Sequence, residues 1–307
     1  MTRTDSHPPA TDASALPSVA VESTTRDLPD VRLHVVVGGN PDGPLVVLLH
    51  GFPEFWYGWR HQLEALLDAG YRVVVPDQRG YNRSEKPTDI GAYRLRYLTR
   101  DIVDLIRAEG REAASVVGHD WGGIVAWALA TRYPDAVDRL VAVNAPHPVA
   151  FQRILRSTPE QVGRSWYAFA FQLPWIPERL LEAGEFSPLE RMLRGTAQPG
   201  TFSASELAHY RRAWGQAGAR RGMLNWYRAG GRYPPVRARA GTRDTLVDAP
   251  TLVVWGDGDV ALVPELAHES VGVCAQGRLK RYSGTSHWVP HEEPARLTAD
   301  VRSHLPL

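Results

Sequence analysis

The chain has 307 residues, 43% of them hydrophobic and 22% charged, with a formal net charge of +1. That is an ordinary composition for a soluble protein with a large core, and the near-neutral charge gives no reason to expect nucleic acid or an anionic membrane as partner. Its one cysteine, Cys274, leaves no intramolecular disulfide and argues against a cysteine-based metal site. No apolar run approaches the roughly 18 residues that suggest a membrane span. Residues 1–27 are rich in Thr, Ser, Pro, Ala and Asp, lack the apolar stretch of a secretory signal and read as a disordered tail. The cytoplasm is the expected location.

Beyond that tail, strands and helices alternate. Arg32–Val37 and Leu45–Leu49 read as strands, the second apolar throughout and so buried on both faces. Trp59 to Asp68 carries Leu63, Leu66 and Leu67 at helical spacing, with Gly70 placed to end the helix. Val73–Val75 is a further strand. Tyr97 to Glu109 is amphipathic through Leu98, Ile102, Leu105 and Ile106, and Gly110 stops it. Ala114–Val117 and Leu140–Val143 are strands on either side of an apolar helix that begins near Ile124. From 146 to 244 strand signals vanish, and aromatic residues, arginines and broken helical segments take over. Alternation resumes with strands at Thr251–Trp255 and Arg278–Tyr282 and helices at Pro264–Ser270 and Glu292–His304. The pattern predicts an α/β fold, a mostly parallel sheet flanked by helices. Its core spans 28–145 and 245–307, and the inserted 146–244 forms a helical cap over the carboxyl ends of the strands. The hydrophilic stretch Val236–Asp244 reads as a solvated hinge.

The chemistry concentrates at Gly118-His119-Asp120-Trp121-Gly122-Gly123. A strand, a glycine-bounded turn and a helix in this order form the nucleophile elbow of the α/β-hydrolases, with Asp120 where serine is usual. A carboxylate that attacks a carbonyl forms a high-energy anhydride. Attack on saturated carbon forms an ordinary ester, which water can cleave at the aspartate's own carbonyl. Asp120 therefore points to substrates with an electrophilic sp³ carbon and a leaving group, such as epoxides or alkyl halides. The helix N-terminus at the elbow favours the ionised carboxylate. An aspartate that only caps its helix is the alternative.

Three further segments fit the elbow. His50-Gly51-Phe52-Pro53 follows a buried strand, so the backbone N–H groups of Phe52 and Trp121 occupy the two oxyanion-hole places. Trp255-Gly256-Asp257-Gly258-Asp259 leaves a strand, and Asp259, further into the loop, is preferred to Asp257 as the triad acid. Asn144 ends the strand before the insertion and cannot carry that charge. Of eleven histidines, His287 and His291 lie between the last strand and the closing helix. His287 lies in the loop and is preferred as base, whereas His119 reads as structural. The order is nucleophile, acid, base.

Together these residues resemble the soluble epoxide hydrolases of the α/β-hydrolase superfamily. The resemblance covers nearly everything after the tail, through His50-Gly51-Phe52-Pro53-Glu54-Phe55-Trp56-Tyr57, Asp77-Gln78-Arg79-Gly80-Tyr81, the elbow and His287-Trp288-Val289. Two cap segments add to it: Trp166 to Pro174 is similar to the one carrying the family's first epoxide-activating tyrosine, and Asn225-Trp226-Tyr227-Arg228 to the one carrying the second. The resemblance implies that Tyr167 and Tyr227 activate the ring oxygen and that the product is a vicinal diol. It implies a small epoxide and water as partners, with no cofactor and no metal. Pocket shape is expected to come from Trp166, Phe169, Phe171 and Trp175. The oligomeric state stays open, a homodimer being one option. A haloalkane dehalogenase would share Asp120 and Trp121, but Phe52 offers no side-chain donor to a halide. A ligand-sensing relative would keep the pocket with little turnover, yet no catalytic piece is missing here.

Overall fold

The computed structural model describes residues 20–234 and 246–306. The expected hinge lies wholly outside them, as do the first 19 residues. Eight strands form one sheet in the order β1-β2-β4-β3-β5-β6-β7-β8. These are β1 (Val21–Asp27), β2 (Arg32–Gly39), β3 (Leu45–Leu49), β4 (Arg72–Pro76), β5 (Ala114–His119), β6 (Val137–Val143), β7 (Thr251–Gly256) and β8 (Gly277–Tyr282). β1 and β2 run antiparallel to their neighbours, and the rest of the sheet is parallel. All residues of β3, β5 and β7 are buried, which is why they read as continuous apolar runs: helices cover both faces.

The expectation of a disordered tail to residue 27 is corrected at its end. Val21–Asp27 is an edge strand, paired residue by residue with β2 from Val21↔Gly38 to Asp27↔Arg32. Its side chains alternate between half-buried and exposed, so it buries too little apolar surface to stand out by hydrophobicity. β-branched Val21, Thr24 and Thr25 and a partner edge suffice to hold it.

Helices α1 (Arg60–Asp68), α2 (Leu95–Ala108), α3 (Trp121–Arg132), α10 (Glu265–Val271), α11 (Val289–Glu292) and α12 (Pro294–His304) belong to the alternating part. α2 buries Leu98, Ile102, Leu105 and Ile106 on one face. α3 is buried over most of its surface, including Val125, Trp127 and Leu129. It starts three residues before the expected Ile124, because the strained elbow residue is itself its N-cap.

Between β6 and β7 lie α4 (Pro148–Ser157), α5 (Pro159–Arg164), α6 (Trp166–Ala170), α7 (Ile176–Thr196), α8 (Ala204–Trp214) and α9 (Ala219–Arg232). α7 breaks at Ala183–Phe186, where the backbone leaves helical geometry. Three buried hydrogen bonds tie these helices to the loops beyond the sheet. The Trp214 indole N–H donates to the Pro53 carbonyl at 2.6 Å, the Trp226 indole to that of Arg79 at 2.9 Å, and the Tyr210 hydroxyl to Glu54 at 2.7 Å. Strand order reverses at β3, which has β4 on one side and β5 on the other. The loops after β3 and β5 therefore meet at the topological switch point, where open α/β sheets place their sites.

Candidate active site

Asp120 sits at the switch point with φ 51° and ψ −123°. This left-handed conformation is costly for a residue with a Cβ and persists only where the surroundings hold it. The neighbouring glycines are such surroundings: a Cβ on Gly122 would stand 2.2 Å from the Leu49 carbonyl oxygen, and one on Gly51 2.4 Å from the Asp120 Cβ. With no side chains there, the β3 and β5 loops close together, and the Phe52 N–H donates to Asp120 Oδ1 at 2.8 Å. Trp121 follows as the first residue of α3.

The acid and base loops converge from the far half of the chain. His287 Nε2 lies 3.6 Å from Asp120 Oδ2, and its Nδ1 lies 2.7 Å from Asp259 Oδ2. Asp259 is buried, and its other oxygen accepts the N–H groups of Ala261 and Leu262 at 2.8 and 3.0 Å. The Asn144 amide donates to Asp259 Oδ2 at 2.7 Å and its oxygen accepts the Gly256 N–H, so Asn144, which carries no charge itself, positions the Asp259 carboxylate. Burial by itself would raise the Asp259 carboxyl, but His287 and the Asn144 and backbone donors outweigh it and hold the pKa low. Burial would likewise lower His287. Asp259, then Asp120 and Glu54, reverse the sign and raise it to about 9.

Asp257 and His291, the two less favoured residues, lie elsewhere. Asp257 forms a surface ion pair with Arg281 at 2.8 Å. His291 spends both ring nitrogens on other groups, Nε2 on Glu54 at 2.7 Å and Nδ1 on Arg60 at 3.1 Å.

Tyr167 from α6 and Tyr227 from α9 face the elbow from the inserted helices, their rings 5.8 Å apart and near perpendicular. Both line the cavity that contains Asp120. Burial, with Asp120 nearby, pushes both phenols above their ordinary value, so each stays a proton donor at neutral pH. Of the expected pocket residues, Phe169 lines the cavity and Phe171 packs against Tyr227 with centroids 5.1 Å apart. Trp166 and Trp175 do not belong: they are 69% and 60% exposed. Helical spacing turns Trp166 away from the face that carries Tyr167, since adjacent residues on a helix do not share a face. Trp175 precedes α7 in a left-handed turn.

Residues 44–294 match the family model for the alpha/beta hydrolase fold. The chain is 43% identical over 278 residues to the AB hydrolase superfamily protein YfhM of Bacillus subtilis, covering 90% of this chain and 94% of that protein. It is 38% identical over 283 residues to Epoxide hydrolase 1 of Caenorhabditis elegans, covering 91% of this chain and 69% of that one. Among solved structures it resembles a Bacillus megaterium epoxide hydrolase crystallised with an inhibitor, at a TM-score of 0.84 and 29% identity, over 92% of this chain and 99% of that one. The chain belongs to the epoxide hydrolases of the α/β-hydrolase superfamily.

This epoxide hydrolase has a second polar cluster that sequence reasoning missed. Buried Glu54 receives the Tyr210 hydroxyl and faces His291 Nε2, both at 2.7 Å, and its other oxygen lies 3.2 Å from His119 Nδ1. His119 Nε2 in turn lies 3.0 Å from the His287 carbonyl oxygen. A carbonyl only accepts, so His119 donates there and pins the backbone of His287. The structural reading of His119 thus acquires a specific content. Glu54 ends the His50–Glu54 segment, and a carboxylate in an otherwise apolar stretch was the signal available. A third support comes from α5, whose Arg164 donates to the carbonyls of Asp259 and Leu262 at 2.6 and 3.0 Å. Among the described residues, no helix is long and apolar enough to cross a membrane.

Proposed function

We propose that this enzyme opens an epoxide to a vicinal diol through a covalent ester on Asp120, with 146–244 acting as a cap on a core of 28–145 and 245–307. The observation that carries the reading is one cavity holding a carboxylate nucleophile on one wall and two protonated phenols, Tyr167 and Tyr227, on another. A carboxylate alone would serve an alkyl halide as well. Paired phenols suit an alkoxide leaving group, which needs a proton as a halide does not. The relatives named above as epoxide hydrolases favour the same choice.

In the first half-reaction Asp120 attacks a ring carbon from the side opposite the oxygen. The C–O bond breaks, and one of the two tyrosines gives the oxygen its proton. General acid help of this kind contributes about 10²–10⁴ in rate. In the second half-reaction His287 takes a proton from water, which attacks the Asp120 carboxyl carbon. The Phe52 N–H, already 2.8 Å from Oδ1, and the Trp121 N–H stabilise the oxyanion. Collapse of that intermediate breaks the bond between the Asp120 carboxyl carbon and the alkyl oxygen, the departing alkoxide takes the proton held by His287 to give the diol, and Asp120 keeps the water's oxygen until a later turnover.

Electrostatics orders the two steps. In the free enzyme the negative charge of Asp120 helps hold His287 protonated, with a pKa of about 9. Alkylation turns Asp120 into a neutral ester and removes that contribution. The histidine pKa then falls, its proton passes by way of water to the tyrosinate left by ring opening, and the neutral imidazole is a base at the moment one is needed.

The test is diol formation from styrene oxide and a longer aliphatic epoxide by wild type and Asp120→Asn. Diol from the wild type and none in the first turnover of the variant supports the reading. Undiminished first-turnover activity in Asp120→Asn would remove the nucleophile.

A further inference from the structure

The two phenols stand on unequal supports. Tyr227 belongs to α9, which is buried from Gly222 to Ala229. Tyr167 belongs to α6, which has five residues, no side-chain N-cap and no fully buried residue. Nucleating a helix costs more than a single turn returns, so α6 needs ties from outside itself to keep a fixed place. The side chain of Gln172 supplies two. Its Nε2 donates to the Ala168 carbonyl on α6 at 3.1 Å and to the Tyr227 carbonyl on α9 at 2.9 Å. Both partners are carbonyl oxygens, which only accept, so the nitrogen of the amide faces them and not its oxygen. The Gln172 backbone N–H goes to the Phe169 carbonyl at 3.1 Å, so the side chain takes the bond to Ala168 that a longer helix would make with its backbone. The second bond ends on the backbone of the other phenol itself. Gly231 lets α9 pass close beside this amide: a Cβ there would stand 3.0 Å from Gln172 Oε1 and 3.1 Å from its Nε2. One side chain thus joins the residue after Tyr167 to Tyr227, across rings whose centroids are 5.8 Å apart.

We propose that Gln172 is a positioning residue for ring opening: its amide holds α6 against α9 at the separation that lets Tyr167 and Tyr227 address one epoxide oxygen. The inference rests on the reading of those two tyrosines as the acid. Each phenol must stand within about 2.6–3.2 Å of the ring oxygen to give its proton, so a shift of one helix against the other takes a phenol out of reach. Arg228 holds the chain just after α6 through the Phe171 and Leu173 carbonyls. Gln172 instead bonds within α6 and at Tyr227. A misplacement of about 1 Å in an active site can cost about 10²-fold in rate.

The experiment follows the loss of styrene oxide in a single turnover with enzyme in excess, which reads ester formation. Gln172→Met keeps the length of the side chain and loses both donors. In the wild-type background it should slow ester formation by about 10–100-fold. In the Tyr167→Phe/Tyr227→Phe background, where no acid is left to position, it should add no further loss. An unchanged rate in Gln172→Met overturns the proposal. A loss of the same factor in both backgrounds also overturns it, because a side chain that touches the epoxide itself, or only keeps the helices folded, acts with or without the phenols. If Gln172→Met does not fold, Gln172→Asn, too short to span the two carbonyls, decides by the same comparison. A slow double-Phe variant keeps the tyrosine reading even where the comparison sinks this inference, whereas a double-Phe variant at full rate sinks both.

Discussion

At the scale of single residues, the proposed function rests on charges that change during turnover. His287 lies 2.7 Å from Asp259 and 3.6 Å from Asp120, and two carboxylates around one imidazole hold its proton. On the proposed mechanism, replacing His287 by Gln removes the base but leaves Asp120 free to attack. The hydroxyalkyl ester should then accumulate, visible as a mass increase on the intact protein after mixing with epoxide. No added mass would show that ester hydrolysis does not depend on this histidine. The proposed mechanism has Tyr167 and Tyr227 share one task, so either tyrosine replaced by Phe leaves a donor. The double replacement should lose about 10²–10⁴ in the rate of ester formation, far beyond either single change. Full single-turnover activity in the double variant would remove their role. The elbow aspartate, the histidine after the last strand and the carboxylate loop were legible in the sequence because each sits at a fixed place relative to a strand end. The same logic failed for Trp166 and Trp175, since an aromatic in a helical segment declares its type and not its direction.

At the scale of elements, the inserted helices hold the catalytic loops as well as cover them. Arg228 follows Tyr227 on α9, is buried, and reaches both oxygens of Glu178 at 2.6 and 3.0 Å. It also donates to the carbonyls of Phe171 and Leu173 at 3.1 and 2.7 Å. It thereby fixes the chain between α6 and α7. Arg228→Ala should cost about 1.5–3 kcal/mol, the range for hydrogen bonds to charged groups, read as a shift in the urea midpoint. A change within experimental error would mean that water replaces the guanidinium at little cost. Such cross-links could not be read from sequence. Arg228 and Glu178 are 50 residues apart, and arginine–glutamate pairs at that separation are everywhere in a chain of this composition.

At the scale of the whole molecule, the shifted pKa values tie stability to pH. His287 is raised in the folded state from 6.5 to about 9. The stability it contributes is therefore complete below about pH 6.5 and is lost as pH rises through about 9. Asp259 is shifted the other way, so its contribution is present above its ordinary carboxylate range and is lost as pH falls through its depressed value. Melting temperature followed from pH 6 to 10 should fall across that window in the wild type and fall less in His287→Gln. Identical slopes would place the alkaline loss in other groups. The sequence by itself determined the order of strands and helices, because burial on both sheet faces demands unbroken apolar runs at β3, β5 and β7. It also determined the elbow, because the close approach of backbone around Asp120 leaves no room for a Cβ at Gly118 or Gly122. Tertiary structure alone decided that Val21–Asp27 is a strand, since an exposed edge is stabilised by its partner's backbone and not by its own side chains. It alone brought Glu54, His119, His291 and Tyr210 together beneath His287, since hydrogen bonds between residues 65 to 237 positions apart leave no local pattern to read.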